Sequence, residues 1–287
     1  MPPRTNTTAR LPASPGLLRP EEFSRHVRFA EVAPTGAAAA WVERLWSTNW
    51  ALPDETSQTT QLIPHPSVSL TVERGGLARG GVRGDGVRLT GVVTGRFDVT
   101  LTGTGGTVGV KFRPGGFTAW SGVGSDRLTD RVLPAAELLP ATTTLSRLEL
   151  DAEASAAALC GYLEGHAESA EPIPAALRTV LATALAVDVT RVDDLAERCD
   201  SSVRALQRLV RHYVGVSPKW LIRRHRMHDA VEALDAGTTE SIAALAARLG
   251  WYDQSQFARD FTALVGVPPA SYRNRSRAAA TPSGEIP

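Results

Sequence analysis

The stretch LAERCDSSVRALQRLVRHYVGVSP (195–218) decides the fold of the C-terminal third, because LAARLGWYDQSQFARDFTALVGVPP (245–269) repeats it later in the chain. Each copy has the pattern of a helix, a short polar turn and a second helix that ends in glycine. That pattern is typical of a helix-turn-helix unit, and its repetition predicts two such units. The matched pairs are Leu195 with Leu245, Ala196 with Ala246 and, after one inserted residue in the second copy, Arg208 with Arg259, Gly215 with Gly266 and Pro218 with Pro269.

Capping signals and apolar stripes fit these helices. Ser201 or Ser202 is a candidate N-cap for the second helix of the first copy, and Asp253 or Ser255 for that of the second copy, since short polar side chains accept backbone N–H bonds. A stripe at helical spacing predicts the buried face of each second helix. The stripe residues are Leu206, Leu209, Val210 and Tyr213 in the first copy, and Phe257, Phe261 and Leu264 in the second.

Polar residues on these second helices are candidate DNA contacts. Arginine can bind guanine, and glutamine adenine, through two hydrogen bonds each. A helix over 220–236 between the copies, about 25 Å long at about 1.5 Å per residue, could place the two second helices about one DNA turn apart. The candidate DNA-binding residues are Ser202, Arg204, Gln207, Arg208, Arg211, Gln254, Ser255, Gln256 and Arg259.

The N-terminal part is rich in short β-like runs, including SVSLTVE (67–73), FDVTLTG (97–103) and TVGVKF (107–112). Frequent glycine clusters separate them, which indicates an antiparallel sheet or barrel. The predicted fold class is therefore α+β. The predicted segments are a disordered tail at 1–20, a β-rich domain at 21–140, a helical connector at 141–186, a helical DNA-binding domain at 187–275 and a disordered tail at 276–287.

Composition excludes several classes of protein. The 287 residues carry 31 basic and 30 acidic side chains, and 43 % are hydrophobic, which supplies enough apolar surface for folded cores. No apolar run approaches about 18 residues, so no membrane-spanning helix is expected. Two cysteines, Cys160 and Cys199, are too few for a disulfide framework and fit a reducing cytoplasm. The basic excess falls within 187–275, where DNA binding is predicted.

The C-terminal segment closely resembles the DNA-binding domain of AraC/XylS-type bacterial transcription regulators. The matching stretches are ALQRLVRHYVGVSPKWLIRRHRMHDAVEAL (205–234), SIAALAARLGW (241–251) and DQSQFARDFTALVGVPPASYR (253–273). The resemblance implies two helix-turn-helix units on a linker helix that bind promoter DNA and recruit RNA polymerase. By motif position, it implies base reading by Arg204, Gln207, Arg208, Gln254, Ser255 and Arg259.

Four positions depart from the family pattern. Trp251 stands where phenylalanine is usual, Gln256 where histidine is usual, and Val210 at a common aromatic position. Asp260 adds an acid beside Arg259. Together these departures predict weaker binding or less sequence reading by the second unit.

The N-terminal part resembles, more loosely, the sensor domains of some of these regulators. The resemblance depends on LIPHPSVSLTVE (62–73) and GVKFRPGGFTAWSGVGSDRLTDRVLP (109–134), and it implies a cupin-like β domain. The usual cupin set of metal-binding histidines is absent, so no metal or other cofactor is expected. Candidate ligand-binding residues are Trp46, Trp50, His65, Phe97, Phe112 and Arg113; core packing and rigid turns are the alternative explanation for them.

Three functions remain open at this point. The first is a cytoplasmic transcription regulator that responds to a small-molecule effector. The second is a DNA-binding regulator whose N-terminal domain only forms a homodimer or contacts proteins. The third, an enzyme domain fused to a DNA-binding domain, lacks any recognisable catalytic arrangement, so no catalytic residue is assigned.

Overall fold

The computed structural model describes residues 26–62, 65–186 and 188–280. Apart from the short segments 94–96 and 213–215, the chain divides into two compact units with the boundary after Ile173. The predicted tail at 1–20 lies outside the described residues. The predicted connector at 141–186 does not form a unit of its own, because its first helix packs on the sheet and its second belongs with the C-terminal helices.

The first unit is built on one eight-stranded sheet in which every pair is antiparallel. The prediction of an antiparallel β domain is confirmed. The sheet order is β1-β2-β7-β4-β6-β8, while β3 pairs with β7 and β5 with β4. The strands are β1 Val27–Val32, β2 Val42–Ala51, β3 Ser57–Leu62, β4 Ser69–Arg79, β5 Val82–Arg83, β6 Gly86–Thr90, β7 Phe97–Phe112 and β8 Val132–Pro134.

Glycines allow the two long central strands to approach each other closely. A bulge between Gly75 and Gly76 of β4 faces Gly105 of β7. Gly75 has a φ of 88°, in the left-handed region, and a Cβ added to Gly105 would collide with the ring of Trp50. Only glycine meets both conditions without strain.

The sheet has two buried faces, because successive side chains of a strand point to opposite sides. One face, which includes Leu45, Val108 and Val110, is covered by helices. These helices are α1 (Gly116–Ser121) and α2 (Ala152–Gly165), and Trp120 Nε1 donates to the Leu163 carbonyl at 2.8 Å between them. A separate apolar cluster forms on the other face, and its buried members are Val27, Trp50, Leu52, Leu77, Val99 and Leu101.

The second unit is entirely helical apart from its turns, in agreement with the prediction for 187–275. Its helices are α3 Ala175–Thr183, α4 Val192–Arg198, α5 Val203–Val214, α6 Pro218–Asp235, α7 Ile242–Arg248, α8 Gln254–Val265 and α9 Pro269–Ala280. The last helix continues through Ala280, so the tail predicted from 276 begins too early; alanine favours helix there, and Ser276 Oγ donates to Asp235 Oδ1 at 3.0 Å. Residues 281–287 lie outside the described residues.

Candidate nucleic-acid interface

The first helix-turn-helix unit consists of α4, a four-residue turn and α5. Asp200 in the turn has a φ of 46°, and the Ser201 backbone N–H donates to the Ala196 carbonyl at 2.9 Å. Ser202 then caps α5, since its Oγ accepts from Ala205 N at 3.2 Å. Of the two predicted caps, Ser202 is therefore the one used.

The outer face of α5 carries the predicted contacts. Arg204, Gln207, Arg208 and Arg211 are all exposed, and their spacing places them on one side of the helix. Within the described part of the chain, no carboxylate pairs with these three arginines, so their N–H groups are available to a ligand. On the opposite side Leu206, Val210 and Val214 are buried, whereas Leu209 and the predicted stripe residue Tyr213 are half-buried.

The second unit repeats this construction with α7 and α8. Ser241 caps α7 through a bond from Ala244 N of 3.1 Å, and Asp253 caps α8 through a bond from Gln256 N of 2.7 Å. Gly250 has a φ of 76° in the turn, at the position of Asp200 in the first unit. Gln254, Ser255 and Arg259 are exposed on α8, while Gln256 is half-buried; Phe257, Phe261 and Val265 form the buried stripe, with Leu264 half-buried.

Trp251 anchors the turn of the second unit. It is buried, its ring lies 4.9 Å from that of Phe257 at a steep angle, and its Nε1 donates to Asp260 Oδ2 at 2.9 Å. The other oxygen of Asp260 pairs with Arg223 of α6 at 2.5 Å. Asp260 is thus bound to the turn of the second helix-turn-helix and to the linker helix. Its place beside Arg259 in the sequence did not reveal this role.

The linker helix α6 packs through one continuous stripe. Leu221, Met227, Val231 and Leu234 are buried, and Ser217 caps the helix. Arg226 lies on the same stripe.

Arg226 is only 9 % exposed, and its guanidinium lies 5.7 Å from the centre of the Trp251 ring. Its Nε and Nη2 atoms have no hydrogen-bond partner among the described residues, and burial lowers its pKa. Sequence reasoning missed this residue, although its spacing of four from Ile222 and from Ala230 placed it on the buried side.

The last helix is held to the linker helix through Asp235. Tyr272 Oη donates to Asp235 Oδ2 at 3.2 Å, and Ser276 Oγ donates to Asp235 Oδ1 at 3.0 Å. Desolvation of the carboxylate raises the pKa of Asp235, and the two hydrogen bonds oppose this effect.

Two of the six candidate ligand-binding residues of the β unit, Trp50 and Phe97, lie in one apolar cluster. Trp50 is buried in the apolar cluster, with Phe97 packed against it, and Trp46 stacks on Phe29 with ring centres 6.5 Å apart. Phe112 lies on the opposite face of the sheet from Trp50 and stacks on Trp120 at 5.7 Å, so the two cannot line one pocket. The register pairs Trp50 with Gly105 of β7, and Phe112 is an odd number of positions from Gly105 along that strand.

The remaining two candidates occupy loops. Arg113 is exposed just after β7, and its Nε donates to the Ala39 carbonyl at 3.2 Å. His65 is half-buried in the segment between β3 and β4.

A buried polar cluster on the face of Trp50 was missed. Glu73 is 3 % exposed, accepts from Thr71 Oγ1 at 2.6 Å and pairs with Arg79, which also donates to Thr71 at 3.0 Å and to Thr90. The alternation of Leu70, Thr71, Val72 and Glu73 in the sequence was the available signal, since it placed two polar side chains together on one face.

Among the described residues, no cluster of three or more His, Cys, Asp and Glu side chains is arranged to hold a metal ion. Within the same residues, none of the helices combines the length and apolarity needed to cross a bilayer.

Comparison with known families gives two matches. Residues 195–275 match a helix-turn-helix domain family, and residues 30–134 match a domain of unknown function, DUF6597. No curated protein matches the chain.

Several solved structures resemble the chain. The DNA-binding domain of AdpA, a global transcriptional factor solved with a target DNA, is 32 % identical, covers 38 % of this chain and 97 % of its own, and has a TM-score of 0.34. The C-terminal domain of AraT, a response regulator from Geobacillus stearothermophilus, is 28 % identical, covers 36 % and 85 %, and has a TM-score of 0.32. ToxT from Vibrio cholerae O395, bound to (E)-4-(8-methylnaphthalen-1-yl)but-3-enoic acid, is 13 % identical over 77 % of this chain and 98 % of its own, with a TM-score of 0.42.

Proposed function

The chain belongs, through its domain at 195–275, to the AraC-type helix-turn-helix transcription regulators, and we propose that it reads two successive major-groove segments of promoter DNA with α5 and α8. The observation that carries this proposal is the pair of matching polar faces. Each second helix is capped by a short side chain, buries an apolar stripe and exposes arginine and glutamine on its outer side.

The first experiment measures DNA binding by the full chain. Fluorescence anisotropy at about 150 mM salt would compare the DNA upstream of the protein's own gene with random DNA, because phosphate contacts make affinity depend on salt. We expect a preference of about a thousandfold or more for the upstream fragment. Equal and weak binding to both, together with failure to enrich any sequence from a random duplex pool, would contradict sequence-specific binding.

A footprint tests the use of two units. Hydroxyl-radical cleavage of the bound site should show two protected windows whose centres lie about 10 base pairs apart, one for each recognition helix. A single window would contradict reading by both units.

The β unit is the part of the chain that we propose binds an effector. We infer that a small molecule binds on the face of Trp50, where the Glu73–Arg79 pair, Thr71 and Thr90 offer hydrogen-bonding groups beside an apolar cluster. These polar groups are buried and bonded to one another, so a ligand would have to replace some of their mutual hydrogen bonds while it buries its own apolar surface. A compound that raises the thermal midpoint of the full chain and changes its DNA affinity would support the proposal.

The second candidate function gives the β unit no ligand. In that case its role is to form a homodimer or to contact RNA polymerase, and sedimentation of the full chain with and without operator DNA would detect a dimer. A stable dimer that no compound alters would favour this candidate. We propose a cytoplasmic regulator without enzymatic activity in both cases.

A further inference from the structure

The two helix-turn-helix units differ by one residue in their turns. In the first unit, Ser201 closes the turn by donating from its backbone N–H to the Ala196 carbonyl, and the next residue, Ser202, already caps α5. The first turn therefore has no residue between the closing bond and the cap.

The second turn contains an extra residue at this point. Trp251 closes the turn through the equivalent bond to the Ala246 carbonyl at 2.9 Å, while the cap of α8 is Asp253. Tyr252 lies between them. It is the inserted residue that shifts the repeat by one position.

Both neighbours of Tyr252 make contacts within the unit, so the turn holds the backbone of Tyr252 in place. Trp251 is buried and bonded to Asp260, and the Asp253 carboxylate accepts from the backbone of Gln256. Tyr252 itself is 94 % exposed. Among the described residues, the other large exposed apolar side chain is Leu185, which is 54 % exposed.

We propose that Tyr252 contacts DNA beside the recognition helix α8, an inference that rests on the proposed function. Its position two residues before the exposed Gln254 and three before Ser255 brings the ring to the edge of the groove when α8 enters the groove. There the ring packs against thymine methyl groups and sugars, and the hydroxyl donates to a phosphate oxygen. An aromatic side chain that is left in water in the free protein gains by burying its apolar surface in the complex.

The test compares variants of the full chain on the DNA site selected by the wild-type protein from a random duplex pool. Tyr252→Ala should bind this site about tenfold more weakly, which corresponds to about 1.4 kcal/mol. Hydroxyl-radical footprints should lose protection only in the window of the second unit. The matched control is Leu185→Ala, which removes the other exposed apolar side chain and should bind like the wild type.

Tyr252→Phe shows whether the ring or the hydroxyl of Tyr252 contributes the affinity. Affinity equal to the wild type assigns the contact to the ring, and affinity equal to Tyr252→Ala assigns it to the hydroxyl; both results support the inference.

Other results separate the two proposals. If the wild type selects no sequence and binds DNA weakly, the proposed function fails. If the wild type binds specifically and Tyr252→Ala matches it in affinity and footprint, only the contact by Tyr252 is overturned. A fall in the thermal midpoint of Tyr252→Ala that accounts for its loss of affinity would also overturn the contact, because a side chain this exposed should not affect folding.

Discussion

Asp260 Oδ2 accepts a hydrogen bond from Trp251 Nε1 at 2.9 Å, so the acid beside Arg259 in the sequence is bonded to the turn of the second helix-turn-helix. Its other oxygen pairs with Arg223 of the linker helix. One carboxylate thus connects three elements: the turn, the recognition helix and the linker helix. This arrangement gives the acid a structural role in addition to any effect of its charge on DNA binding.

Replacing Asp260 should therefore weaken DNA binding. Asp260→Ala leaves the buried Trp251 N–H without its acceptor, which should cost about 1–3 kcal/mol in the free energy of unfolding measured with urea. Anisotropy should show a parallel loss of affinity for operator DNA, because α8 loses its attachment to α6. The control Asp260→Asn keeps an acceptor for Trp251 and should lose less stability and less DNA affinity. Stronger DNA binding by Asp260→Ala would show instead that the negative charge of Asp260 opposes DNA binding.

The pH dependence of stability should reveal the raised pKa of Asp235. Desolvation raises its pKa in the folded protein, so the neutral carboxyl is favoured by folding. Its contribution to stability is fully present below the ordinary aspartate pKa of about 3.9 and is lost as the pH rises through the raised folded value. We expect Asp235→Asn to gain stability relative to the wild type as the pH rises across this range.

Urea unfolding of both proteins at a series of pH values checks this expectation. Asparagine still offers an oxygen to Tyr272 and an amide to Ser276, so the hydrogen bonds at α9 are retained. A difference in stability between the two proteins that does not change with pH would show that Asp235 has the same pKa folded and unfolded.

The buried ion pair of the β unit should be costly to break. Glu73 and Arg79 have side chains that are only 3 % and 9 % exposed, so Glu73→Ala leaves a buried cation without its partner. The expected loss is about 3–5 kcal/mol in the free energy of unfolding. The exposed pair of Glu31 with Arg44 provides the control, and Glu31→Ala should cost no more than about 1 kcal/mol. Similar losses in the two variants would mean that water reaches Arg79.

Local signals predicted most of the C-terminal domain. Caps such as Ser202 and Asp253 act within three residues, and the buried stripes of α5 and α8 follow from helical spacing. The exposure of the arginines and glutamines could be predicted because these residues lie outside the buried stripes. These parts of the candidate site could therefore be predicted from the sequence.

Pairings between distant residues could not be predicted in the same way. The partners of Asp260 and the burial of Arg226 depend on how α6 packs on the second unit, and no local pattern encodes that packing. In the β unit, Phe112 and Trp50 both fit an apolar pocket by composition. Their separation depends on strand register, which is fixed by tertiary contacts.

Arg208 should distinguish base reading from phosphate binding. It is exposed on α5 without an ion-pair partner in the described chain, so Arg208→Ala removes a free guanidinium and little packing. If it reads a base, the variant should lose about 1–3 kcal/mol on the selected site and much less on random DNA. The matched control is Arg198→Ala, since Arg198 lies in the same unit but pairs with Asp188 at 2.6 Å and is off the recognition helix. Equal losses on both DNAs, with a smaller dependence of affinity on salt, would assign Arg208 to a phosphate instead, because a phosphate contact adds affinity to every sequence alike.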